Sequence, residues 1–197
     1  TPHSNALSKR QFIGAVGAFA LSPTLLMAQT PGVIKLIIPY GPGGPTDVVA
    51  RLVSTHLQNI LKQTVIVENK PGAGSAIGAR FVANSPADGR TILIGNVSTY
   101  AIAPATMKNP GYDPVKSFAP IVQTSDICSV MVAGTSFPAN TVQEFVTYAR
   151  ANPGKISYGS AGIGNSAHLL GELLQTKAQL NMVHVPYRSG AEMSMAV

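Results

Sequence analysis

The chain of 197 residues is 45% hydrophobic, 11% charged and 6% aromatic, with one Cys and no Trp, a composition that supports a buried core and excludes a disordered polymer. Cys128 has no partner, and His3, His56, His168 and His184 are scattered, so neither a disulfide scaffold nor a metal site is expected. The net charge of +6 falls to +4 once Lys9 and Arg10 are set aside, and the remaining basic residues stand singly, which argues against nucleic acid as a partner and leaves a mild bias toward small anions.

The first element is an address. Ser8-Lys9-Arg10-Gln11 precedes an uncharged apolar run over residues 12–28, and Ala28 offers a cut, so residues 1–28 are expected to be a signal peptide that sends the mature chain to the periplasm. A retained anchor helix and a twin-arginine variant of the signal are the alternatives.

From there the pattern alternates. A strand is expected over 33–38, followed by Gly41-Pro42-Gly43-Gly44 and a helix whose apolar positions run from Val49 to Leu61, with Thr46 or Asp47 as its N-cap. The unit repeats with a strand over 64–67, a loop over 69–74 and a short helix over 76–83, and a third strand over 91–94 ends at Gly95-Asn96. Pro110, Gly111 and Pro114 break the pattern over 108–116, which reads as a crossing between two lobes, 33–107 and 117–197. The second lobe is expected to hold strands near 119–123 and 129–132, then a helix opened by the capping box Thr141-Val142-Gln143-Glu144 and running to about residue 151. A strand over 156–158, a Gly-rich turn over 159–164, a helix over 166–177, a strand over 182–185 and the start of one more helix complete the order. Strands alternating with helices predict right-handed βαβ crossovers and parallel sheets.

In such sheets a ligand lies beyond the carboxyl ends of the strands, where loop amides and helix N-termini converge. The loops at 41–46, 159–166 and 189–190 all occupy that place, and their glycines permit a nest of N–H donors suited to a carboxylate or phosphate. As isolated features they read equally as turns and caps. Gly162-Ile163-Gly164-Asn165-Ser166-Ala167 also fits the loose dinucleotide pattern, so a Rossmann-type nucleotide-dependent enzyme stays open at this level. Ser160 lacks nucleophile-elbow spacing, His168 and His184 read as packing or hydrogen-bonding residues, and no pair of carboxylates suggests hydrolysis; no catalytic residue and no cofactor are expected.

Four motifs occur in order: residues 38–47, Ile38-Pro39-Tyr40-Gly41-Pro42-Gly43-Gly44-Pro45-Thr46-Asp47; residues 67–74, ending Asn69-Lys70-Pro71-Gly72-Ala73-Gly74; residues 158–164 with His168-Leu169; and His184-Val185-Pro186-Tyr187-Arg188. This series resembles the Bug receptors, the extracytoplasmic solute-binding proteins of tripartite tricarboxylate transporters. The resemblance implies a two-lobed α/β periplasmic binding protein, type II-like, that closes as a Venus flytrap over a small carboxylated solute and hands it to membrane transporter subunits. It also implies a monomer, a chain truncated at its C-terminal end, and hence an incomplete first lobe that is poorly stable alone. A receptor-derived sensor is a further alternative. The family's binding positions carry over to Tyr40, Gly41, Gly43, Gly44, Thr46 and Asp47 in the first lobe, with Asn96 and Ser98 after the third strand. In the second lobe they fall on Ser160, Ala161, Gly162, Gly164, Asn165 and Ser166, with Tyr187 and Gly190 near the cleft. Pro45 and Ser189 depart from the family pattern, and Pro45 removes one N–H from the first loop.

Overall fold

The computed structural model describes residues 32–197, and the expected signal peptide lies outside them. The first sheet is built from β1 (Ile34–Ile38), β2 (Val65–Asn69) and β3 (Thr91–Leu93). Its strands are parallel in the order β2-β1-β3, in a register that sets Leu36 beside Val67 and Ile92. The central strand is an almost unbroken apolar run because helices can cover both of its faces. Helix α1 (Pro45–Leu61) covers one: Val53 and Leu57 pack with Ile34, Leu36, Val65, Val67, Ile92 and Ile94. The chain then crosses back over β1 to reach β3, which puts helix α2 (Ala76–Ala83) on the opposite face. There the α2 backbone presses on the end of β1 so closely that a Cβ at Gly78 would lie 2.8 Å from Pro39 Cα.

The reversal of direction makes the carboxyl ends of β1 and β3 a topological switch point, the usual crevice of an open α/β sheet. A wide π-type turn over Ser98–Ile102 and a short helix α3 (Ala103–Thr106) follow β3. The break at 108–116 is bound to this region: the Tyr112 hydroxyl donates to the Thr99 carbonyl, and Phe118 meets Tyr100 and Tyr112 edge-on, at 6.1 and 5.8 Å between ring centres.

The second sheet holds the parallel pair β4 (Ser157–Ser160) and β5 (Val183–Pro186). Helices α4 (Val142–Ala151) and α5 (Ser166–Ala178) accompany it, and α6 (Gly190–Met195) follows β5. A small core of Ala149, Ile156 and Met182 is surrounded by Phe137, Phe145, Tyr158, Leu174 and Leu180. The expected capping box opens α4. Thr141 Oγ1 accepts from the Glu144 amide, and the Glu144 carboxylate reaches back to the amide of Asn140, one residue earlier than the standard pairing.

Two expectations fail. The strands expected at 119–123 and 129–132 do not form, because no ladder partner faces them among the described residues, and Ile121, Val122, Val130 and Val132 are exposed. An apolar β-branched run is extended by propensity, but it is a strand only when a neighbour takes its amides. The N-cap of α1 is Gly44, not Thr46 or Asp47. Pro45 starts the helix because its fixed φ suits the first turn and its missing N–H costs nothing there. The π-type turn and α3 over Ser98–Thr106 were not anticipated, whereas the other strands and α-helices match the periodicity to within a few residues.

Candidate functional site

The two sheets belong to one compact unit, and their strand-end loops touch. The Ser166 amide, at the start of α5, donates to Ser98 Oγ beyond β3 at 3.0 Å. A Cβ at Gly41 would stand 2.7 Å from the Arg188 carbonyl and 2.9 Å from Ser189 Cβ, and one at Gly43 would stand 3.1 Å from Ala191 Cβ. Gly41 is therefore required by the approach of the loop after β5. A Cβ at Gly190 would stand 4.0 Å from Pro45 Cδ, within the same seam.

Within the first sheet the loop after β1 is held by a carboxylate of the chain itself. Asp47 is 3% exposed and its two oxygens accept from the Gly43 amide at 3.0 Å, from Arg51 at 2.9 and 3.1 Å, and from Asn69 Nδ2 at 2.9 Å. Burial disfavours its charge, but hydrogen bonds from Arg51, Gly43 and Asn69 outweigh that and hold its pKa below the ordinary value. Asn69 Nδ2 also donates to the Tyr40 carbonyl, which fixes the loop from the other side. One amide of the predicted nest is thus satisfied by Asp47, and Thr46 is buried in the first turn beside it. Gly43 has φ +78°, and Gly44 spends its carbonyl on the Val48 amide.

Beneath this loop lies a cluster of hydroxyls. The Tyr40 phenol donates to Asn96 Oδ1 at 2.5 Å and shares a 2.7 Å hydrogen bond with Thr99 Oγ1, while Asn96 Oδ1 also accepts from the Ser98 amide at 2.9 Å. Ser75 and Ser98 stand beside the same phenol, whose pKa is raised by burial against the lowering effect of these neighbours. Tyr40, Asn96 and Ser98 were legible as candidates. Thr99 and Ser75 were not, because nothing local marks them.

The loops after β4 and β5 form a second cluster. Ser160 is fully buried; its hydroxyl lies 3.0 Å from the Gly162 carbonyl and 2.7 Å from His184 Nε2. The rings of His184 and His168 stack at 4.0 Å. His168 Nδ1 accepts from the Gly164 amide at 3.2 Å, which leaves the ring proton of the neutral form on Nε2, 3.8 Å from Glu172 Oε1. Burial, reinforced by the facing His168, lowers the His184 pKa. The Tyr158 hydroxyl donates to Glu172 at 2.5 Å, and burial together with that carboxylate raises its pKa. Asn165 caps α5 by accepting from the His168 amide at 2.9 Å. Gly162 and Gly164 take φ +119° and +77°. Ala161 lies between Ser160 and Gly162 in this turn, and the Tyr187 amide donates to the Ser160 carbonyl at 2.8 Å. Among the described residues no carboxylate hydrogen-bonds the other nitrogen of His184, so Ser160 and His184 lack the orienting third member of a nucleophilic relay. No group of His, Cys, Asp and Glu among them is placed to hold a metal ion.

The arrangement is that of an α/β solute-binding fold: parallel strands from two sheets ending on donor-rich loops that face one another. Solved structures agree. The chain is 35% identical to the periplasmic binding protein BugD with a TM-score of 0.70, covering 83% of this chain and 54% of that one. It is 28% identical to MatC from Rhodopseudomonas palustris with bound malate, with a TM-score of 0.78 and coverage of 83% and 56%. Among curated proteins, it is 41% identical over 164 residues to a UPF0065 protein of Bordetella pertussis, which is 83% of this chain and 50% of that protein. The model of the tripartite tricarboxylate transporter family receptor matches residues 49–197, and the chain belongs to that family. It spans about half the length of the relatives it matches.

Proposed function

We propose that this protein is the periplasmic receptor of a tripartite tricarboxylate-type transporter. It is exported through residues 1–28 and captures a small carboxylated solute between two lobes, 33–107 and 117–197, as a monomer and without turnover. The solute's carboxylate is held by amides of the Gly-rich loops and by ordered waters, within 40–47, 96–98, 160–166 and 187–190, and the captured solute passes to membrane subunits. The observation that carries this reading is the meeting of strand-end loops from both sheets at Ser98 and Ser166, in a family one of whose structural relatives is described with bound malate. Closure of such loops over a solute excludes water and strengthens each hydrogen bond to the anion.

The test is a thermal-shift and calorimetric screen of the complete mature protein against malate, succinate, citrate, aspartate, an aromatic carboxylate, NAD and NADP. Selective binding to the native state raises the melting temperature. A shift with one carboxylate class and none with nucleotides is the expected result. A shift with NAD or NADP alone overturns the reading and assigns the turn at Gly162 to a nucleotide.

A further inference from the structure

Ser75 sits where a helix cap is expected and does not act as one. It precedes α2, yet its side chain accepts no bond from the helix amides, and its backbone is held at φ +91°, a region that a side chain disfavours. It is 2% exposed, and its hydroxyl completes no hydrogen bond among the described residues. A buried hydroxyl without a partner is rare in native proteins, and backbone strain at such a place persists where function requires it.

The surroundings give the hydroxyl a use. Of the groups around the Tyr40 phenol, Asn96 Oδ1 is filled by Tyr40 and by the Ser98 amide, and the phenol itself is engaged by Asn96 and Thr99. Ser98 Oγ serves as acceptor for the Ser166 amide, which leaves its proton free to donate. Ser75 and Ser98 are thus two buried hydroxyls beside one phenol that Asn96 and Thr99 already engage: both come near enough to its oxygen to lower its pKa, Ser75 Oγ completes no hydrogen bond among the described residues, and Ser98 Oγ is engaged only as an acceptor. They also lie on the seam between the sheets: a Cβ at the adjacent Gly74 would stand 3.3 Å from the Ile163 carbonyl in the loop after β4.

We propose that the Ser75 hydroxyl, together with that of Ser98, donates to an oxygen of the bound carboxylate, which makes Ser75 a solute-binding residue. This rests on the carboxylate-receptor reading above and adds to it the acceptor chemistry of one end of the solute.

Glycine suits φ +91°, so Ser75→Gly removes the hydroxyl and relieves the backbone, whereas Ser75→Ala removes the hydroxyl and keeps the strain. Calorimetric titration of the full chain with malate, succinate and adipate is read beside the melting temperature of the unliganded protein. The expected result is that both variants weaken the tightest of the three by about tenfold while Ser75→Gly melts no lower than the parent. If Ser75→Gly melts higher and binds within twofold of the parent, the hydroxyl is a packing feature and the proposal is overturned. A loss confined to Ser75→Ala assigns the effect to the backbone and also overturns it. If the parent binds none of the three, the receptor reading for these solutes fails first, and the role of Ser75 falls with it.

Discussion

The two sheets repeat one local plan, a parallel strand running into a Gly-rich loop and a helix, but they are buried to different extents. In the first, β1 lies between two strands and under two helices, and Leu36, Ile37 and Ile38 are all but inaccessible. In the second, β4 has a single partner among the described residues, and no residue of α5 is buried; Leu170 and Leu173 are half exposed. Their polar chemistry differs as well. The first sheet presents hydroxyls and one internally neutralised carboxylate, while the second presents stacked histidines above Ser160. A motif repeated in sequence therefore does not carry equal stability or equal titration behaviour, because both depend on what covers the unit.

The sharpest way to break this contrast is through the cores. Ile37→Ala should cost about 2 to 5 kcal/mol in urea unfolding, whereas Leu173→Ala should stay within about 0.5 kcal/mol. Equal losses would mean that the two halves share one core. Asp47→Asn removes the charge that Arg51 and the Gly43 amide both use, and a loss of about 1 to 3 kcal/mol is expected by the same measurement. No change would place the strength of the first loop elsewhere. Gly41→Ala forces a methyl against the Arg188 carbonyl, so it should lower stability by about 1 to 3 kcal/mol and loosen the seam, read as faster proteolysis near residues 188–191.

The smallest effect is in pH, where the halves separate by window. Asp47 has its folded pKa depressed, so its contribution is present above its ordinary value of 3.8 and is lost as pH falls through the lower folded value. His184 is also depressed, so folding favours its neutral ring; that contribution is present above 6.5 and is lost as pH falls below it toward the folded value. Urea midpoints across pH should show a higher limb that His184→Gln flattens and a lower limb that Asp47→Asn flattens. A higher limb unchanged in His184→Gln would remove the histidine stack from the account.

Much of the fold was legible because its signals are local. Apolar spacing, the box at Thr141 and Glu144, and glycines at strand ends act within four or five residues, and the ordered motifs pointed to the family that the match over residues 49–197 establishes. Asp47 and Arg51 stand at helical spacing, so their pairing could have been read from the sequence as well. Less of the site was legible. Tyr40 with Asn96 and Ser98 with Ser166 join positions 56 and 68 residues apart, and Ser75 is distinguished only by a backbone angle and a missing partner. The segments at 119–123 and 129–132 show the same limit in reverse, since their composition favours strands but pairing is a property of two segments.

The sequence by itself determined the alternation of strand and helix, the places of the Gly-rich turns and the family, because each follows from local periodicity or from residues in a recognisable order. Only the tertiary structure decided that Asp47 fills part of its own loop, that Gly41 must stay small against Arg188, and that the Ser75 and Ser98 hydroxyls stand beside one buried phenol. Those outcomes depend on which distant surfaces meet, and burial, dielectric and hydrogen-bond completion are settled only at such meetings.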